Sequence, residues 1–235
     1  MENENKIKDS PDPVTISVTE KILEQLKYCV CKMKIKGING TGFFCKIPYR
    51  NNFIKVLMTN YHIFSKQSYL DNKKIYLLLN NEEDSRTIDL RIERIIYFNE
   101  DYDITIIEIK DIDNINNYLE LDDNMFKEDS KAYYEYKSIY ILHYPNGNNA
   151  SISYGILTRI DNFKIKHLCN TEHGSSGSPI LNLFNNKIIG IHKAGSLIFN
   201  FKTGTLLKYP INKFIEQITK SHNNFMNENN IKISI

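Results

Sequence analysis

Thr87-Ile88-Asp89-Leu90-Arg91-Ile92-Glu93 alternates polar or charged side chains with apolar ones without a break. Successive side chains of an extended strand point to opposite faces, so Ile88, Leu90 and Ile92 fall on one side and Asp89, Arg91 and Glu93 on the other. Outward from this stretch, GFFCKI (42–47), KVLMT (55–59), IYLLL (75–79), the longer run TIDLRIERIIYF (87–98) and ITIIEI (104–109) read as strands. Cys29, Cys31, Met33 and Ile35 alternate with Lys32 and Lys34, which places Cys29 and Cys31 on one face of another strand. Strands resume with SIYIL (138–142), SISYGILTRI (151–160), FKIKHLC (163–169), KIIGIH (187–192) and TLLKY (205–209).

Helices flank these runs. Ile22, Leu23 and Leu26 predict a short helix over Glu20 to Lys27 capped by Thr19, and residues 1–15 read as a loose, disordered arm. Ile211, Phe214, Ile215 and Ile218 form an apolar stripe over 210–220, with Pro210 at the first helical position. Residues 111–132 are acidic and polar and read as a linker. About six strands precede that linker and about six follow it, with no helices between them. This order argues for an all-β chain of antiparallel sandwiches or barrels and against βαβ units. Neither a Walker loop nor a dinucleotide glycine fingerprint is present.

The chain has 235 residues, 41% hydrophobic and 25% charged, which suits one compact domain or two small barrels. Its net charge of +2 and the absence of a basic run give nucleic-acid binding no support. No apolar stretch reaches the roughly 20 residues of a membrane span, so no membrane association is expected. The polar opening MENENKIKDSPDPV lacks a signal-peptide core, so a cytoplasmic or other intracellular site is expected. Four cysteines with no zinc-like spacing to the histidines read as buried free thiols, and no metal is expected.

Three segments carry chemistry. In His173-Gly174-Ser175-Ser176-Gly177-Ser178-Pro179-Ile180, small residues let the backbone fold closely around an attacking hydroxyl and aim N–H groups at a developing oxyanion. In Met58-Thr59-Asn60-Tyr61-His62, an apolar strand delivers a histidine to its end, and in Asp101-Tyr102-Asp103-Ile104 an aspartate precedes another strand. Each alone also reads as an ordinary turn or strand end. Their order, His62, Asp103, Ser176, is that of a hydrolytic triad shared between two barrels. His143 reads as structural, and His167 and His222 as surface residues.

Over residues 28–220 the chain resembles the trypsin-like (chymotrypsin-clan) serine peptidases. TNYH, DITIIEI and GSSGSP resemble that clan's histidine, aspartate and serine blocks, and GTGFF at 40–44 resembles the strand before the histidine block. The resemblance implies two six-stranded antiparallel β-barrels, about 28–110 and 133–209, with short terminal helices, in a peptidase domain over 16–235. It implies a serine endopeptidase acting on polypeptides through His62, Asp103 and Ser176, with the N–H groups of Gly174 and Ser176 as oxyanion hole. No cofactor is implied, and a monomer is the expected state. Thr171 and the strand Gly190-Ile191-His192-Lys193-Ala194-Gly195 are similar to the glutamyl endopeptidase branch, implying that Thr171, His192 and Gly195 line a pocket for Glu or Gln. The chain departs from the clan in lacking an Ile-Val-Gly-Gly activation sequence, in having Ile63 after the histidine, and in having Asn170 where trypsin has its specificity aspartate. A catalytically silent domain of the same fold, acting as a peptide- or protein-binding module, is the alternative reading.

Overall fold

The computed structural model describes residues 10–35, 37–195 and 200–232, with side chains to residue 222. Helix α1 (Ile16–Cys29) starts a turn before its expected position, because Thr15 rather than Thr19 caps it. The Thr19 hydroxyl donates to the Thr15 carbonyl (2.9 Å) inside the first turn instead. Of the expected arm, residues 1–9 lie outside the described residues, while residues 10–15 are tied to the second half of the chain. There the Asp12 amide donates to Ser138 Oγ (2.8 Å) and Ser138 Oγ donates to the Asp12 carboxylate (2.6 Å).

The first half is a sheet of β1 (Val30–Ile35), β2 (Ile38–Tyr49), β3 (Asn52–Thr59), β4 (Lys74–Leu79), β5 (Asp84–Asp89), β6 (Ile96–Asn99), β7 (Ile104–Glu108) and β8 (Leu119–Glu120), with helix α2 (Lys66–Asp71) between β3 and β4. Its order is β5-β4-β1-β2-β3-β7-β6, with β8 added parallel to β2. This half is therefore an open eight-stranded half-barrel rather than a closed six-stranded one. The run 87–98 is two strands, not one. The Asp89 carboxylate accepts the Arg91 amide (3.0 Å), which turns the chain out of β5. Arg94 then points inward to a buried ion pair with Asp113.

After α3 (Ser130–Tyr134), the second half closes as a six-stranded barrel: β9 (Ser138–His143), β10 (Ser151–Asp161), β11 (Lys164–His167), β12 (Pro179–Asn182), β13 (Ile188–Gly195) and β14 (Lys202–Leu206), in the order β10-β11-β14-β13-β12-β9. Sequence periodicity misses β12, whose four residues are all buried and so do not alternate. Helix α4 (Lys208–Lys232) follows and is longer than the 210–220 stripe. No helix among the described residues is long and apolar enough to cross a membrane.

The expected polar linker is packed into the fold. Leu119, Leu121 and Met125 are buried, and the Asp122 carboxylate accepts from the side chains of Asn182 and Asn185 (both 3.0 Å). One hydrophobic cluster lies within the first sheet, and a larger one joins that sheet's other face, α1, α4 and the second barrel. Cys29 ends α1 and joins the larger cluster, while Cys31 in β1 joins the smaller, so the two do not share a face. All four thiols are free and buried. Burial pushes Cys29 up to about 12 and the others higher still, which leaves them poor nucleophiles.

Candidate active site

His62 lies in the turn that ends β3. The amides of Ile63 and Phe64 both donate to the Asn60 carbonyl (3.2 and 3.1 Å), which reverses the chain. Asn60 Nδ2 donates to the Asp103 carbonyl (2.9 Å) and Thr105 Oγ1 to the Phe64 carbonyl (2.6 Å), so the histidine turn is fastened to the start of β7. Asp103 occupies that start with φ of 52°, a left-handed conformation that costs a non-glycine residue energy and is found at functional turns. Its buried carboxylate grips one residue with both oxygens: Oδ1 accepts the His62 amide (3.0 Å) and Oδ2 faces His62 Nδ1 (2.8 Å). Burial by itself would raise the Asp103 pKa. The hydrogen bonds and charge of His62, together with the charge of Lys193, outweigh burial and hold it below the usual carboxylate value.

Ser176 lies between two left-handed glycines, Gly174 (φ 86°) and Gly177 (φ 88°). A Cβ on Gly177 would stand 2.0 Å from the Thr41 carbonyl oxygen, so only glycine fits this approach of the two halves. Thr41 N–H donates to the Ser176 carbonyl (2.8 Å) and Thr41 Oγ1 to the Gly174 carbonyl (2.9 Å). Behind the turn, the buried His143 joins Ser175 Oγ (2.7 Å) to Ser153 Oγ (3.0 Å), the structural place read from the sequence. Among the described residues, the amides of Gly174 and Ser176 have no hydrogen-bond acceptor. The Ser176 hydroxyl donates to the Lys193 carbonyl (2.8 Å), and no hydrogen bond joins it to His62.

Two halves joined at a histidine–aspartate pair and a glycine-flanked serine agree with a family match over residues 40–191, to a model described as a trypsin-like peptidase domain. The chain belongs to the trypsin-like peptidases. Solved structures share its fold. The Rv3671c protease of M. tuberculosis in its inactive form is 16% identical, with 86% of this chain and 93% of that one covered and a TM-score of 0.59. The serine endoprotease from Yersinia pestis is 12% identical, covers 87% and 68%, and has a TM-score of 0.63. A Glu endopeptidase is 19% identical, covers 82% and 90%, and has a TM-score of 0.58. No curated protein sequence matches the chain.

In this trypsin-like peptidase the residues expected to line a specificity pocket are set by the second barrel. The His192 amide donates to the Ser178 carbonyl (2.8 Å) and the Gly177 amide to the His192 carbonyl (3.0 Å), which holds β13 against the serine turn. His192 is buried, and so is His167, which corrects its reading as a surface residue. Ile165, His167 and Cys169 alternate inward, a period-two signal that would have placed His167 in the core. The Cys169 amide donates to His167 Nδ1 (3.3 Å), so the proton is on His167 Nε2, which donates to His192 Nδ1 (3.2 Å). His192 therefore carries its own proton on Nε2, where no partner is found among the described residues. Burial drives His167 down to about 3 and His192 well below the ordinary value, so both are neutral. Thr171 is also buried, and its Oγ1 has no hydrogen-bond partner among the described residues. Gly195 lies at the exposed end of β13. His222 is exposed, 3.2 Å from Arg50 Nη1. Sequence reading missed Thr41, Asn60 and Lys193, whose roles come from contacts between distant segments.

Proposed function

We propose that this trypsin-like peptidase is a serine endopeptidase in which Ser176 is the nucleophile, His62 the general base and Asp103 its orienting acid. The observation that carries this reading is the two-point grip of the buried Asp103 carboxylate on His62, which fixes the ring with Nε2 free to accept a proton. In the reaction the Ser176 hydroxyl would leave the Lys193 carbonyl and hydrogen-bond to His62 Nε2. Oγ then attacks the scissile carbonyl while its proton passes to Nε2. The amides of Gly174 and Ser176, which have no acceptor among the described residues, would receive the oxyanion, a contribution of about 3–4 kcal/mol in such sites. Collapse of the tetrahedral intermediate expels the amine with the proton from His62, and water releases the acyl group by the same steps in reverse. No residue outside this chain is required for these proton transfers.

The substrate class is a polypeptide, with Glu or Gln before the scissile bond. The unpaired Thr171 hydroxyl and His192 Nε2–H are donors that a side-chain carbonyl or carboxylate would satisfy. Substrates unable to do so would leave both groups buried and unpaired. The hydrogen bond of Ser176 to Lys193 favours a second reading, a silent peptide-binding module in which the hydroxyl never reaches His62. One experiment separates them: a fluorophosphonate probe should label the wild type and not Ser176→Ala. Wild type and variant that label equally, or not at all, refute the peptidase reading.

A further inference from the structure

Lys193 is connected to both ends of the candidate triad. Strand β13 pairs with β14 through His192↔Gly204 and Ala194↔Thr203, and the register shifts between those pairs. Lys193 is the extra residue of this β-bulge, with no partner opposite it. A bulge bends its strand and re-aims the side chain at that point. Here the Lys193 carbonyl accepts the Ser176 hydroxyl (2.8 Å), while its ammonium lies 3.6 Å from Asp103 Oδ2, the same oxygen that faces His62 Nδ1. The Lys193 side chain is half-exposed and enters the groove between the two halves of the molecule.

We propose that Lys193 is a positioning residue of this active site: its ammonium shares Asp103 Oδ2 with the His62 ring and offsets the carboxylate's charge as the imidazole senses it. The inference rests on the proposed triad. A buried carboxylate beside a histidine does two things at once. It orients the ring, and it stabilises the protonated ring, which cannot act as a base. A cation on that carboxylate keeps the first effect and reduces the second. Orientation survives because Oδ1 and Oδ2 remain bonded to His62, and the preference for imidazolium weakens because a second positive charge stands close by. The charge of Lys193 also contributes to keeping Asp103 ionised.

The other charged or titratable groups near this pair are fewer than the groove suggests. Asp101 and Tyr102 belong to the Asp103 turn, Lys164 reaches the groove from β11, and Lys213 reaches it from α4. Lys213 is paired with Glu216 (3.0 Å). His192, next to Lys193, is buried and neutral. Among the described residues, Lys193 is the one lysine or arginine within salt-bridge distance of Asp103.

The test compares fluorophosphonate labelling rates of the full chain at about pH 6 and about pH 9 for the wild type, Lys193→Gln, Lys193→Met and Lys193→Arg. Removing one positive charge a few ångströms from an imidazolium, in a half-exposed setting, changes its protonation equilibrium about three- to tenfold. The ratio of the rate at the higher pH to that at the lower pH should rise by that factor in both uncharged variants. It should stay within about twofold of wild type in Lys193→Arg, which keeps the charge. A merely structural role would lower both rates together and leave the ratio unchanged, and that result overturns the proposal. So does a Lys193→Arg profile that matches Lys193→Gln. If one uncharged variant folds poorly, the other supplies the comparison. A wild type that is not labelled at any pH overturns the triad reading as well, whereas a labelled wild type with an unmoved ratio overturns the role of Lys193 alone.

Discussion

The amide of Thr41 donates to the carbonyl of Ser176 at 2.8 Å, so a residue of the first sheet holds the backbone of the candidate nucleophile in the second barrel. The same threonine's hydroxyl donates to the Gly174 carbonyl (2.9 Å) and accepts from the Tyr144 amide (3.3 Å). Three backbone groups of the serine side of the cleft thus depend on one side of the other half.

Replacing Thr41 with Val keeps the β-branched shape and removes the hydroxyl. The Gly174 carbonyl and Tyr144 amide would lose their partner, at a cost of about 1–3 kcal/mol. Urea denaturation measures that loss, and labelling of Ser176 should slow about tenfold as the Gly174 peptide loosens. An unchanged denaturation midpoint would show that water replaces the hydroxyl.

Gly177→Ala places a methyl 2.0 Å from the Thr41 carbonyl oxygen and 2.6 Å from Thr59 Oγ1, at a φ of 88°. Both the contact and the backbone conformation penalise it, and a loss above about 3 kcal/mol is expected. Thermal denaturation of soluble protein checks this, and a variant as stable as the wild type would contradict the close approach.

Arg94 and Asp113, with side chains 1% and 2% exposed, form a two-bond ion pair (2.8 and 3.2 Å) beneath the turn between β5 and β6. Arg94→Ala leaves a buried carboxylate uncompensated and should cost about 3–5 kcal/mol. The double variant Arg94→Met/Asp113→Leu should lose less than either single replacement. The order of the three denaturation midpoints decides the point.

Stability should fall as acid is added, beginning well above the carboxylate range. His143 (about 4), His167 (about 3) and His192 have folded values depressed by burial, below the unfolded value of about 6.5. The unfolded chain therefore binds more protons below pH 6.5. Stability is full above that value and is lost as pH falls toward the folded values, by up to about 2 kcal/mol per histidine near pH 5. His167 and His192 share a hydrogen bond and titrate as a pair. The depressed Asp103 adds a loss only at lower pH. Urea midpoints at pH 7.5 and pH 5 test this, and a flat profile would contradict it.

If the proposed pocket holds, His192→Ala and Thr171→Val should each reduce cleavage after Glu or Gln by more than about tenfold while probe labelling changes little, because the lost donors would meet the side chain and not the reacting bond. Library profiling of the wild type is the measurement. Cleavage mainly after Lys, Arg or Phe would refute the pocket.

Much of this molecule is legible before folding. The alternation of Cys31, Met33 and Ile35 with Lys32 and Lys34 marks β1, although both faces of that strand pack into hydrophobic clusters, and the glycine-flanked serine marks a tight turn because only small residues permit it. Errors came where a side chain, not the period, ended an element. Asp89 turns the chain out of β5 in mid-alternation, Thr15 takes the cap from Thr19, and the fully buried β12 has no alternation to read. The acidic segment 111–132 reads as a linker, yet its carboxylates at 113 and 122 are buried, because Arg94, Asn182 and Asn185 arrive from elsewhere.

By itself the sequence determined the strand-rich class, the free thiols, and the identity and order of the histidine, aspartate and serine segments, since all of these are encoded by residue type and local spacing. Tertiary structure alone decided that the first half stays open while the second closes, that His167 backs His192, and that Lys193 reaches both Ser176 and Asp103. The physical reason is that these outcomes depend on distances between segments far apart in the chain. A bulge of one residue or a single inward-pointing partner changes such distances and leaves little trace in local pattern.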